Sequence, residues 1–344
     1  MLPRERQLAA INRTYADRIS IDSIAVENQE ELCAYLGVAP ENLYDRLGID
    51  GRVLAPWVYT GKIEGGHGMW NTTAEVDYSM GSGHVYPLAE AGIKEAENFP
   101  YPDGKAFNFA EFAAHAKQVA KTHAVRGPYW LPVFSRLNSL FGMEETMVKM
   151  LTETKVFEAV LERVFLFIYD FVGEYLEIGG DGVDILCLAD DFATQRGMMF
   201  SPELWRKHFK PGFARIFDLG KKHSKKVWFH SCGNILEVLP DLIDIGVDVW
   251  ETVQLHTLPM DAKRLKREFG GEITFFGGIN TQALPFKKPE EVRAEVIGAI
   301  RTLGQNGGYI CGPDHHIKPD VPPENVKALF DTALEYPYSQ EWKW

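Results

Sequence analysis

From about residue 107 onward the chain keeps one rhythm: a short apolar run, an abrupt polar or glycine stop, then a helical pattern. Val183 to Leu188 is one such run and stops at Ala189-Asp190-Asp191; Lys226 to Phe229 is another and stops at His230-Ser231-Cys232-Gly233. Val247 to Trp250 leads into Glu251-Thr252-Val253-Gln254, Ile273 to Phe276 into Gly277-Gly278-Ile279-Asn280, and Tyr309-Ile310 into Cys311-Gly312-Pro313. Apolar residues at helical spacing cover 109–122, 143–178, 202–222, 235–245, 289–303 and 323–335. Met147, Met150 and Leu151 recur at that spacing and read as core filling. Strand followed by helix, repeated, means a parallel sheet with right-handed crossovers.

Two earlier stretches join the pattern: 17–24, which alternates apolar and polar, and 128–134, made irregular by Pro132. That gives seven strands, near residues 21, 131, 185, 228, 249, 275 and 309. Seven of a possible eight, with no dinucleotide glycine fingerprint, predict an α/β chain folded as one (β/α)8 TIM barrel rather than a Rossmann sheet. The eighth strand has no obvious segment. Residues 40–106 break the rhythm with Trp57, Tyr59, Trp70, Tyr78 and Tyr86 and with glycine clusters at 65–68 and 81–83. They read as a cap-like excursion whose rings either wall an apolar pocket or form a small core of their own. No linker or repeat divides 1–344, so a single domain is expected.

Composition narrows the partners. Lys and Arg total 36 against 48 Asp and Glu, a formal charge of −12, which argues against nucleic acid. No apolar run approaches the roughly 18 residues of a membrane span. Met1 to Arg6 lacks a signal-peptide core, and four cysteines make no disulfide scaffold, so a reducing cytoplasm is expected.

In a parallel α/β protein the C-terminal strand ends face the active site. Residues i and i+2 share one face of a strand, so His230 and Cys232 can converge on one point. An imidazole nitrogen and a soft sulfur suit zinc, and Cys311, at the end of another strand, is the candidate third ligand. His230, Cys232 and Cys311 would make an N/S/S site with one open position, as in catalytic zinc sites. The competing reading is a core histidine with two buried free cysteines. Glu251 is either a fourth ligand that substrate displaces or a carboxylate bonded to nearby backbone. Of Asp190 and Asp191, one is a candidate proton donor or a partner for His230, and the other a cap on the next helix. Arg136, Gln254 and Asn280 sit past strand ends, where they either bind polar groups of a substrate or bond to water and backbone. His315 and His316 follow Cys311 closely and read either as one pocket-lining histidine or as surface-loop residues, Cys33 and Cys187 read as core, and His67 and His84 suggest no role.

His230-Ser231-Cys232-Gly233, Gly277-Gly278-Ile279-Asn280-Thr281-Gln282 and Gly307-Gly308-Tyr309-Ile310 resemble the uroporphyrinogen decarboxylase superfamily, most clearly over 180–330. The resemblance implies a (β/α)8 barrel. Its branch of zinc-dependent methyltransferases working with corrinoid proteins has a His-x-Cys pair and a later Cys, similar to His230, Cys232 and Cys311. The decarboxylases carry an Arg-Gln-Ala-Gly-Arg type of carboxylate clamp; here the equivalent region reads Arg18-Ile19-Ser20-Ile21-Asp22. Residues Asp190 to Gly197 resemble a segment of the demethylating enzymes. The implied activity is transfer of a methyl group from a small donor, such as a phenyl methyl ether, to the cobalt of a corrinoid protein. Zn2+ and a partner-borne corrinoid are the implied cofactors. The alternatives are transfer from a methylcorrinoid to a coenzyme M-like thiol, a decarboxylase-like lyase, and a catalytically silent ligand-binding barrel.

Overall fold

The computed structural model of the protein describes residues 1–63, 67–73 and 84–338. Eight parallel strands make one sheet: β1 Ser20–Ile21, β2 Gly51–Val53, β3 Ala124–Tyr129, β4 Ile185–Ala189, β5 Lys226–His230, β6 Val249–Val253, β7 Thr274–Ile279 and β8 Tyr309–Pro313. Neighbours pair in chain order from β2 to β8, and β8 pairs with β1. Across the remaining seam the Asp50 N–H donates to the Ile21 carbonyl at 2.9 Å, so the sheet curls into a nearly closed (β/α)8 barrel, as the strand–helix rhythm predicts.

The strand expected near 131 lies earlier, at β3, and helix Phe134–Phe141 begins where that strand was expected to end. Arg126 disguised it, because a charged residue does not read as core. Inside the barrel Arg126 pairs with Asp22 at 3.0 Å, both fully buried, and its guanidinium lies 4.9 Å from the Trp228 ring centre. Removing either partner would leave a buried charge, at a cost of about 3–5 kcal/mol. The missing eighth strand is β2, three residues within the 40–106 excursion. Tyr78 and the glycines at 65–66 and 81–83 lie outside the described residues. The helix expected over 202–222 is two, Pro202–His208 and Lys210–Lys222, because Pro211 has no N–H to continue the ladder. Ser201 caps the first, its Oγ accepting from Leu204 N at 3.3 Å.

Strand parity decides what faces the pocket. Ala124, Ile185, Cys187, Trp228, Val249, Phe276 and Ile310 pack together within the barrel, floored by Ala10 and Ile11 of helix Pro3–Ile11. The alternate residues, among them Val227, Phe229, Trp250, Phe275, Tyr309 and Cys311, pack outward against the helices. No described helix is long and apolar enough to cross a membrane.

Candidate metal centre at the barrel mouth

His230 is the last residue of β5, inward by the same parity as Trp228. Cys232 follows two residues on, and its Sγ lies 3.6 Å from His230 Nε2. A tetrahedral zinc about 2.1 Å from nitrogen and about 2.3 Å from sulfur would set those two atoms roughly 3.6 Å apart. The third member is His315, from the loop after β8; its ring nitrogen, His230 nitrogen and Cys232 Sγ all lie within 4.8 Å of one another. Among the described residues this is the group with metal-ligand spacing.

Several bonds fix the turn that presents Cys232. Its N–H donates to Asp191 Oδ1 at 2.7 Å, and the Gly233 N–H donates to Gln254 Oε1 at 2.9 Å. Thr252 Oγ1 donates to the Ser231 carbonyl at 2.6 Å, from a left-handed backbone (φ 68) at a bulge in β6. Such strain and bulging cluster where a fold aims side chains at a site. Gly233 is required: at φ +82, a Cβ there would stand 2.6 Å from the Thr194 carbonyl oxygen.

Glu251 faces His230 across the ladder and holds it from behind. Its Oε1 lies 2.8 Å from His230 Nδ1 and accepts from the Tyr129 hydroxyl at 2.6 Å, while Trp228 Nε1 donates to Oε2. The carboxylate is fully buried; burial works against its charge, but His230, Arg126 and Tyr129 outweigh that and lower its pKa. Burial likewise opposes charge on His230, yet Cys232, Glu251 and Asp191 overcome it and hold the pKa well above the ordinary value. Burial pushes His315 down to about 4, leaving a neutral imidazole able to bind a metal.

The sequence-derived candidates divide accordingly. His230 and Cys232 come together; Cys311 does not join them. It faces outward beside Tyr309, fully buried, and burial pushes its thiol up to about 12. The reason is register: Ile310 pairs with inward-facing Phe276, so the next residue, Cys311, must point the other way. Glu251 lies on the Nδ1 side of His230, away from the Nε2 edge that meets Cys232, so it holds the His230 ring instead of joining the cluster. Asp191 Oδ1 lies 3.6 Å from His230 Nε2. Asp190 accepts the N–H groups of Phe134 and Ser135 at 2.8 and 3.2 Å, capping not the next helix but the one after β3. Gln254 lines the mouth, while Asn280 Oδ1 closes a turn by accepting from Gln282 N at 3.0 Å. Arg136 lines a separate apolar cavity of about 130 Å³ and lies 4.9 Å from the Trp70 ring centre. Trp130 also lines that cavity and packs edge-on against His230, ring centres 6.0 Å apart.

The sequence offered His315 as a pocket wall or a loop residue, not as a ligand, and gave Tyr129 and Trp228 no role. His315 was detectable: like Cys232, it lies two residues past the end of its strand. The cluster opens on a cavity of about 500 Å³ lined by Cys232, His315, Thr194, Gln195, Gln282 and Lys318.

Residues 128–336 match the family Uroporphyrinogen decarboxylase (URO-D). Curated uroporphyrinogen decarboxylases are similar in sequence: that of Chlorobium luteolum is 23% identical over 193 residues, covering 54% of this chain and 51% of its own length. That of Christiangramia forsetii is 34% identical over 76 residues, covering 22% of each. The chain thus matches about half the length of the first of these relatives. In structure it resembles a methyltransferase from Methanosarcina mazei, with TM-score 0.66 and 19% identity over 98% of this chain and 99% of that one. That likeness is one of fold.

Proposed function

The chain belongs to the uroporphyrinogen decarboxylase family, and from that premise we propose that it is a zinc-dependent methyltransferase, moving a methyl group from a small donor such as a phenyl methyl ether to the cobalt of a corrinoid protein. The observation that carries this reading is the His230, Cys232 and His315 cluster opening on the 500 Å³ mouth. Zinc held by these residues would supply a Lewis acid for the substrate heteroatom, stabilising charge on a departing oxygen. The donor set favours that role. One thiolate and two neutral imidazoles bring a single negative charge, where a His/Cys/Cys set brings two, so the cation keeps net positive charge for an ether oxygen.

The chain's own residues do the positioning. Glu251, held by Tyr129 and Trp228, fixes the His230 ring so that Nε2 faces the mouth. Asp191 and Gln254 hold the Cys232 turn, and Asp191, on the Nε2 side of His230, is the candidate proton donor to a leaving oxygen. Asp190 acts indirectly, by capping the helix that carries Arg136. Arg136, in the separate apolar cavity over the Trp70 ring, lies outside the mouth where the donor would bind. Asn280 reads as a turn residue whose loop shapes the mouth. Against the decarboxylase reading, the Arg18 guanidinium is already committed to Asp50 and the Gly48 carbonyl, at 3.0 and 2.8 Å.

The test is zinc content followed by methyl transfer to a reduced corrinoid acceptor. Wild type should hold about one zinc per chain. Cys232→Ala should lose zinc and transfer together while its circular dichroism stays native. Transfer that persists in the zinc-free variant would overturn the reading.

A further inference from the structure

The end of the barrel opposite the mouth carries another cavity, of about 620 Å³. Arg13, which follows the floor helix, meets there the C-terminal turn of helix Ala262–Phe269 and the segment that leads into β8. Four cationic side chains line it, Arg13, Lys263, Lys266 and Arg267, and among the described residues no carboxylate does. On a chain of formal charge −12 that is the reverse of the average surface.

Two of the cations are built in. Lys266 is half-buried; its Nζ donates to the Gly307 carbonyl at 2.6 Å and lies 5.8 Å from the Phe275 ring centre. Burial, and then neighbouring Arg13, push its ammonium down to about 8. Arg13 sits in a left-handed backbone (φ 57), and its Nη1 donates to the Glu272 carbonyl at 3.0 Å. The two converge on a glycine pair. A Cβ on Gly307 would stand 2.6 Å from the Arg13 carbonyl carbon; one on Gly308 would stand 2.9 Å from Arg13 Cγ and 3.4 Å from Lys266 Nζ. Both glycines have positive φ, +74 and +71, so backbone and space alike exclude larger residues. The like charges of Arg13 and Lys266, brought together beside the Glu272 and Gly307 carbonyls, cost free energy that a bound anion would recover. Arg267, on the exposed rim, has Glu268 at 3.8 Å, but that carboxylate is committed to Arg264 at 2.7 Å.

We propose that this cavity binds a compact, multiply charged phosphate group, of diphosphate or triphosphate size, at a site separate from the methyl-transfer mouth. A guanidinium fork beside an ammonium matches phosphate oxygens, and Gln305 and Asn306 on the same wall add neutral hydrogen-bonding groups. The volume falls within the roughly 300–1,000 Å³ usual for small-molecule sites.

The experiment is calorimetric titration of the full chain with pyrophosphate at low salt, about 50 mM, where screening is weak. Wild type should show saturable binding of about one pyrophosphate per chain, weakened about tenfold in Lys266→Gln and in Arg13→Gln. Lys222→Gln, which alters a surface lysine paired with Asp218 at 2.6 Å, should leave the affinity unchanged. ATP binding more tightly than pyrophosphate would assign the source as a nucleotide; equal binding would assign the phosphoanhydride alone. Absence of saturable binding, or equal affinity in a natively folded Lys266→Gln, would overturn the proposal. Should Lys266→Gln fail to fold, the double variant Lys263→Gln/Arg267→Gln alters only exposed rim residues, and unchanged affinity there overturns it equally.

Discussion

Strands β5 and β8 both lead from an apolar run to a Cys-Gly pair, with His230-Ser231 between the two in β5, yet they deliver different residues to the pocket. In β5 the strand ends at inward-facing His230, and Cys232 follows in a turn pinned by Asp191 and Gln254. In β8 the cysteine is still within the strand, and pairing of Ile310 with Phe276 turns Cys311 outward into the helix layer. His315, beyond the strand end, takes the place in the pocket instead. The lesson is that a ligand must lie either in phase with the interior face or past the strand end, where the backbone is free to turn.

The sharpest way to break the comparison is to remove one residue at each strand end. Both Cys232→Ala and His315→Ala should lower zinc affinity by about three orders of magnitude or more, read by metal content after dialysis against a chelator. Equal retention of zinc by His315→Ala and wild type would return Cys311 to contention. Glu251→Gln comes next. With the ligands kept but the bond to His230 weakened, zinc affinity should fall about 10- to 100-fold, measured by competition with a chromophoric chelator.

A third prediction contrasts the paired carboxylates. Burial, only partly offset by the Phe134 and Ser135 N–H groups, raises the Asp190 carboxyl from its ordinary 3.8 to about 7. The folded chain therefore keeps a proton that the unfolded chain has already released. Its contribution to stability is full below about pH 4 and declines as pH rises toward 7, with a slope of at most about 1.4 kcal/mol per pH unit. Urea unfolding across that range should show the slope in wild type and a flatter profile in Asp190→Asn. The smallest effect is expected from Cys311→Ala: about 1 kcal/mol of stability from lost packing, with zinc content unchanged.

The sequence stated the barrel through its strand–helix rhythm, and it stated His230 with Cys232 through their spacing. It hid β3, because Arg126 reads as surface when its partner, Asp22, lies 104 residues away in the chain. It hid β2, because Gly51–Val53 is too short to show a period. Asp190 and Asp191 are legible as a pair at a strand end, but which one faces the site depends on a helix start at Phe134, where the apolar run 128–134 reads as strand.

By itself, then, the sequence determined the parallel α/β class, the direction in which strand ends point and the presence of nitrogen and sulfur donors at β5, since all three rest on local period and adjacency. Only the tertiary structure brought His315 rather than Cys311 beside His230 and Cys232, set Glu251 against His230 Nδ1 and brought Arg13 to Lys266. Each depends on register between strands, or on segments distant in the chain, and a pleat shifted by one residue exchanges the two faces of a strand.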